Sequence, residues 1–132
     1  MILLINTADS KNIFIGLIEK GGFKVKKNFK AQYKQAEKLL PAIDRMLKNN
    51  RKKIKAIVVV SGPGSFTALR IGVVTANALA YGLKVPITDI SLKELEDKKN
   101  LFETIETKVK KAKTKNIIKP IYGGEPNITL KK

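Results

Sequence analysis

The stretch Gly62-Pro63-Gly64-Ser65-Phe66-Thr67 sets two glycines around a proline and follows them with two hydroxyls, and three chemistries can be written with those residue types. A glycine turn that opens a helix leaves backbone N–H groups at the positive end of the helix dipole, which suits a phosphate. Ser65, on a strand-to-helix turn, has the position of a nucleophile. The same residues also make a plain structural turn, in which Gly62 and Gly64 bend the chain around Pro63, Ser65 caps the next helix and Thr67 lies in its first turn. The phosphate reading lacks the Walker lysine and the G-x-G-x-x-G spacing, and Pro63 removes one donor. The nucleophile reading lacks a base. The chain has no histidine and no cysteine, which excludes Ser-His-Asp catalysis, thiolate chemistry and Cys/His metal sites. A Ser-Lys pair stays open, although nothing singles out a lysine. The structural turn accounts for most of the residues, with Gly62, Gly64, Ser65 and Thr67 as its members and as the candidate anion contacts.

The elements that must position this turn are legible as periodic segments. Short apolar or alternating runs at 2–6, 13–19 and 23–29 predict three strands, the second and third joined as a hairpin by Gly21-Gly22. Helical spacing of Ala36, Leu39, Leu40, Ile43, Met46 and Leu47 predicts a helix over 34–49, kinked at Pro41 or effectively beginning there. A fourth strand follows at 54–61, apolar as a central parallel strand should be, then a helix over 66–81 stopped by Gly82. A fifth strand at 84–90 leads to a short helix at 91–99 capped by Ser91. The expected fold is α/β, a mixed five-stranded sheet with packed helices over 1–97. A basic, mostly irregular segment follows over 98–132, with a helical tendency at 108–115 and strand-like pieces in 117–130.

The helix after the turn is apolar almost all round. Ala68, Gly72, Ala76 and Ala80 recur every four residues and form a flat stripe that another helix could approach closely, while Leu69, Val73, Leu79, Ile71, Val74 and Ala78 cover much of the rest. A helix of that kind is buried on more than one side. The expectation is a partner interface carried by Leu39, Ile43, Leu47, Leu69, Gly72, Val73, Ala76 and Ala80, set against the plainer reading that these are ordinary core residues. On the interface reading, a bulky residue at Gly72 weakens a complex and leaves the isolated fold partly intact.

Composition bounds the partners. A net charge of +16 on 132 residues draws polyanions, but the basic residues are 24 Lys and only three Arg, the residue favoured for bidentate phosphate and base recognition. Lys108, Lys110, Lys111, Lys113 and Lys115 form the densest basic run and are the candidate nucleic-acid contacts. No stretch has the roughly 18–20 uncharged apolar residues of a membrane span, and the start MILLINTADS lacks the basic region of a signal peptide, so a cytoplasmic protein without membrane contact is expected.

The thirteen residues SGPGSFTALRIGV (61–73) resemble the signature stretch of the TsaB family, also called YeaZ. ILLINTADSKNIFIGLIEKGG is similar to the family's first two strands, AQYKQAEKLLPAID to its first helix with the internal proline, and VPITDISLKELE to its fifth strand and following helix. The likeness covers roughly residues 1–97 in order, and KPIYGGEPNITL (119–130) resembles the family's C-terminal end. The resemblance implies an actin-like, RNase H-like (ASKHA) domain that serves without catalysis or cofactor in making N6-threonylcarbamoyladenosine beside the tRNA anticodon. It implies pairing with the catalytic TsaD through helices equivalent to 34–49 and 66–81, the ATPase TsaE as a further partner, and self-association when TsaD is absent. Asn6-Thr7-Ala8 stands where the family has Asp-Thr-Ser, with Asp9 displaced, which argues against holding a magnesium nucleotide. Ala68 replaces a glycine of the signature, and Tyr33 or a neighbour stands for the histidine near the first helix, leaving no peptidase-type metal ligands. Residues 98–118 occupy the place of most of a second lobe. Two alternatives stay open beside the scaffold reading. One is a tRNA- or nucleic-acid-binding module using the lysines of 108–115, and the other a minimal ATP-binding actin-like protein.

Overall fold

Five strands form one mixed sheet, in which successive side chains point to opposite faces and the apolar runs at 2–5 and 56–60 are buried on both. The computed structural model describes residues 1–113 and 117–119. Strands β1 (Ile2–Asn6), β2 (Asn12–Glu19) and β3 (Gly22–Lys30) lead into helix α1 (Gln35–Leu47). A 3-10 turn (Lys48–Lys53) and β4 (Ala56–Gly62) come next, followed by α2 (Phe66–Leu83), β5 (Ile87–Ser91), α3 (Leu92–Glu96) and α4 (Leu101–Lys111). The strand order is β3-β2-β1-β4-β5, with β2 antiparallel to both β1 and β3 and with β4 parallel to both β1 and β5. At the β2–β3 hairpin, Lys20 and Gly21 both take positive φ, 54° and 77°, as a two-residue turn between twisted strands requires.

Each face of the sheet has its own cover. Leu3, Ile5, Ile13, Ile15, Leu17, Ile57, Val59 and Ile87 pack against Leu39, Ile43 and Leu47 of α1 and against Val73, Ala76 and Ala80 of α2. On the opposite face Ile2, Leu4, Ile18, Val58, Val60 and Ile90 pack with Leu101 and Ile105 of α4. The expected boundary at residue 97 is therefore not a break in the domain. The spacing Leu101, Ile105, Val109 gives α4 an apolar stripe, and that stripe joins the core instead of trailing as an irregular tail.

Several boundaries differ from expectation; β5, for one, starts at Ile87 and not at 84. Helix α1 begins at Gln35 and runs without interruption through Pro41, which lies on the exposed side where the carbonyl it leaves unpaired faces water. Helix α2 passes Gly82 and ends at Leu83, capped by Lys84, whose left-handed backbone (φ 59°) turns its N–H back to the carbonyls of Ala80 and Tyr81. Helix α3 is shorter than expected, yet Ser91 caps it: Ser91 Oγ accepts the Glu94 N–H at 3.0 Å and Glu94 Oε1 accepts the Ser91 N–H at 2.9 Å. Helix α2 has the length and composition of a membrane span, and six of its residues are buried in the core of this domain.

Lys108 ties α4 in place. Its Nζ donates to the Asp89 carbonyl at 3.0 Å and to Glu94 Oε1 at 2.9 Å, so this candidate nucleic-acid contact is engaged inside the domain. The Lys108 ammonium, and then the Ser91 N–H, hold the Glu94 carboxyl below its ordinary range. A depressed carboxyl stabilises the fold fully above the ordinary value of 4.5 and loses that contribution as pH falls through the lowered native value. Urea midpoints of the wild type and of Lys108→Ala, compared from pH 6 to pH 3, should therefore converge on acidification. The gap at neutral pH should be on the order of 0.5–1 kcal/mol, because both side chains are part-exposed.

Candidate functional site

The turn that precedes α2 is held against the loop after β1. Gly62 has φ 137°, a backbone that glycine alone adopts readily, and a Cβ at Gly64 would lie 2.5 Å from the Ala8 carbonyl oxygen. The Ser65 N–H donates to that same carbonyl at 3.0 Å. Ser65 occupies the N-cap position but its side chain makes no capping bond, which corrects the expected role; its carbonyl instead accepts the Leu69 N–H at 2.8 Å. Ser65 and Thr67 line a pocket of about 470 Å³ with Ser10, Tyr33 and Gln35, between the first turns of α1 and α2. Gln35 is buried there and donates through Nε2 to the Ser10 carbonyl.

The loop between β1 and β2 is folded on its own polar groups. Asn6 Oδ1 accepts the Ala8 N–H at 2.9 Å. Asp9 accepts the Lys11 N–H at 2.8 Å through Oδ1 and the Asn12 amide at 3.2 Å through Oδ2, and the first of these bonds does most to hold its carboxyl below the usual range. Asp9 is thereby a turn residue. Among the described residues no three carboxylates gather at one place.

The eight residues expected at a partner interface lie in the chain's own core. Leu39, Ile43, Leu47, Leu69, Val73, Ala76 and Ala80 are each at most 5% exposed, and Gly72 is buried with them. The stripe is flat because β1 and the sheet press against it. Thr7 Oγ1 donates to the Ala68 carbonyl at 2.6 Å, and a Cβ at Gly72 would fall 2.2 Å from that hydroxyl oxygen. Gly72 thus belongs to internal packing, and a bulky residue there is a challenge to folding rather than a probe of an interface.

What the same two helices turn outward is a different set. Leu40 (52%), Phe66 (55%), Val74 (59%) and Tyr81 (83%) are large apolar side chains left exposed in this chain. Phe66, Val74 and Tyr81, spaced eight and seven residues apart, share one side of α2, and Pro41 and Leu79 line a shallow cavity of about 460 Å³ between α2 and α1. The signal was present in the sequence as apolar residues out of phase with the main stripe. Of the lysine run, Lys110, Lys111 and Lys113 are exposed, and Lys115 lies outside the described residues, as do 120–130 of the expected strand-like pieces.

A family model described as TsaD, tRNA N6-adenosine threonylcarbamoyltransferase, matches residues 28–96, just over half of the chain. The chain belongs to this family, on its TsaB (YeaZ) side. It is 37% identical over 73 residues to the tRNA threonylcarbamoyladenosine biosynthesis protein TsaB of Haemophilus influenzae, a match covering 53% of this chain and 31% of that one. A tRNA N6-adenosine threonylcarbamoyltransferase of Geotalea daltonii is 47% identical over 38 residues, 29% of this chain and 11% of the relative. The structure of YeaZ from Pseudomonas aeruginosa superposes with a TM-score of 0.66 at 24% identity, over 75% of this chain and 47% of that chain. The fold is the actin-like, RNase H-like one that the signature stretch implies. The chain spans less than half the length of each of these relatives.

Proposed function

We propose that this chain is a non-catalytic subunit of the machinery that makes N6-threonylcarbamoyladenosine in cytoplasmic tRNA, docking a TsaD-like catalytic subunit on the outer faces of α1 and α2. The observation that carries the reading is the exposed apolar set Leu40, Phe66, Val74 and Tyr81 on a helix pair whose inner faces are already filled. A partner of the same family would bring an equivalent helix pair, since one family model spans the TsaD-like enzymes and this α1–β4–α2 segment. Two such pairs bury each other's outer stripes in a helix-on-helix contact. The turn at 62–67 sets the angle at which α2 leaves the sheet. Asn6 and Asp9, spent on the loop, support a role without nucleotide chemistry of its own. A TsaE-like ATPase is the further partner that this reading entails.

The test is co-expression with the TsaD-like protein of the same organism, with mass measured by size-exclusion chromatography and light scattering. Wild type should give a heterodimer. Tyr81→Glu with Val74→Glu should weaken it about 30-fold or more, the effect of losing a hot spot, while changing stability little at such exposed positions. A wild-type chain that stays monomeric, or pairs only with itself, in the presence of the TsaD-like protein would sink the proposal.

A further inference from the structure

We propose that the open sheet face at β2 and β3 is a binding site for an unstacked nucleotide of single-stranded RNA. The inference goes beyond partner pairing to the nucleic acid, and its test uses the chain alone, so that either reading can fail without the other.

Strand alternation gathers the site. Phe14 faces Asn28, Gly16 faces Lys26 and Ile18 faces Phe23 across the β2–β3 ladder, with a register shift after Leu17 that brings Phe23 onto this side. Helix α4 covers the sheet only as far as Phe102. Its ring meets Phe23 edge-to-face at 5.2 Å between centroids, and Phe23 meets Phe14 in the same manner at 5.6 Å. Gly16 leaves the room this requires, since a Cβ there would lie 2.8 Å from the Phe23 ring. The three rings, all part-exposed, line a pocket of about 490 Å³, a volume suited to a small ligand.

The polar groups around the rings fit a nucleotide better than an aliphatic chain. Lys26 and Lys98 line the pocket, and the Lys26 ammonium sits 5.6 Å from the Phe23 centroid. Strand β3 holds no acidic residue and carries Lys30 on the same side as Lys26, while Lys24 pairs with Glu19 at 3.9 Å and Lys27 lies over Phe29 on the other face; Glu96, on α3, is the acid that lines the pocket. Asn28 lines it too and makes no side-chain hydrogen bond among the described residues, so its amide is available to a base edge. Aromatic surface for a base beside cations for its phosphates is how proteins hold unpaired strands. The charge of Lys26 and Lys98 at the pocket complements a phosphate backbone, whereas a second apolar protein surface would leave those ammonium groups without a partner.

Fluorescence anisotropy with the full chain and a labelled 12-nucleotide RNA, single-stranded and as a duplex, reads the site directly. Single-stranded RNA should bind more tightly than duplex. Phe102→Leu, which keeps apolar bulk but removes a ring, should weaken single-strand binding about tenfold. Lys26→Glu, on an exposed side chain, should weaken it about fivefold or more and flatten the salt dependence. Replacing Lys110, Lys111 and Lys113 with alanine should have the smaller effect. Circular dichroism melts confirm that each variant is folded. Unchanged affinity in Lys26→Glu, equal binding of duplex, or binding that follows the α4 lysines would overturn the proposal. So would binding to anionic lipid vesicles or to the TsaD-like protein, and not to RNA, that Lys26→Glu abolishes.

Discussion

Gly72→Ala should destabilise this chain by about 2–4 kcal/mol, an unusually large effect for one added methyl group in a helix. Alanine is the better helix former by about 1 kcal/mol, so on helix propensity alone the change would stabilise. The opposing effect is contact with Thr7. The new Cβ would lie 2.2 Å from Thr7 Oγ1, 3.0 Å from its Cγ2 and 3.1 Å from its Cβ. Thr7 is fully buried and β-branched, so it has few rotamers to escape into. Rotating away also breaks the 2.6 Å bond to the Ala68 carbonyl, leaving a buried hydroxyl unpaired at about 1–3 kcal/mol. Overpacking of a filled core adds roughly 1–3 kcal/mol more. Urea denaturation checks the total, and Thr7→Ala in the same chain checks the cause. The double variant should recover about 1–3 kcal/mol relative to the sum of the two single changes. Simple additivity would mean that Gly72 is needed for some reason other than Thr7.

That contact also shows where sequence reading stops. The strands, the first two long helices and the capped α3 follow from periodicity and turn chemistry, because those signals are local. The small stripe Ala68, Gly72, Ala76 and Ala80 says that something approaches α2 closely, but spacing cannot say whether that neighbour belongs to the same chain. Here it does: Thr7, separated from Ala68 by 61 residues, fills the gap. The outward set was legible only as Phe66, Val74 and Tyr81 falling out of phase with that stripe. Pro41 misled in the other direction. A proline reads as a helix breaker, yet on the exposed side of α1 water can take the carbonyl that its missing N–H leaves unpaired. The apolar spacing of α4 lies beneath a dense lysine run, and Lys108, read as a nucleic-acid contact, holds α3 and β5 instead.

Ile105→Ala should cost about 2–5 kcal/mol, the range for truncating a fully buried isoleucine whose site collapses only in part. Ile105 is 0% exposed and packs in one cluster with Ile2, Leu4, Val58, Val60, Ile90 and Leu101. Glu103→Ala, two residues away on the exposed side, should stay within about 0.5 kcal/mol of wild type. The contrast decides whether α4 is a wall of the domain or an appendage. If it were an appendage, both changes would be nearly neutral, and the sheet face carrying Ile2, Leu4, Val58 and Val60 would need cover from another molecule. Stability would then rise with protein concentration. With α4 as the wall, stability is independent of concentration and Ile105→Ala lowers it, with new apolar surface at the opened face as a route to aggregation. The core of the five-stranded sheet is then covered within one chain, on one face by α1 and α2 and on the other by α4, which leaves the corner at β2 and β3 open. Leu40, Val74 and Tyr81 on α1 and α2, and the part-exposed corner at β2 and β3, remain turned to solvent.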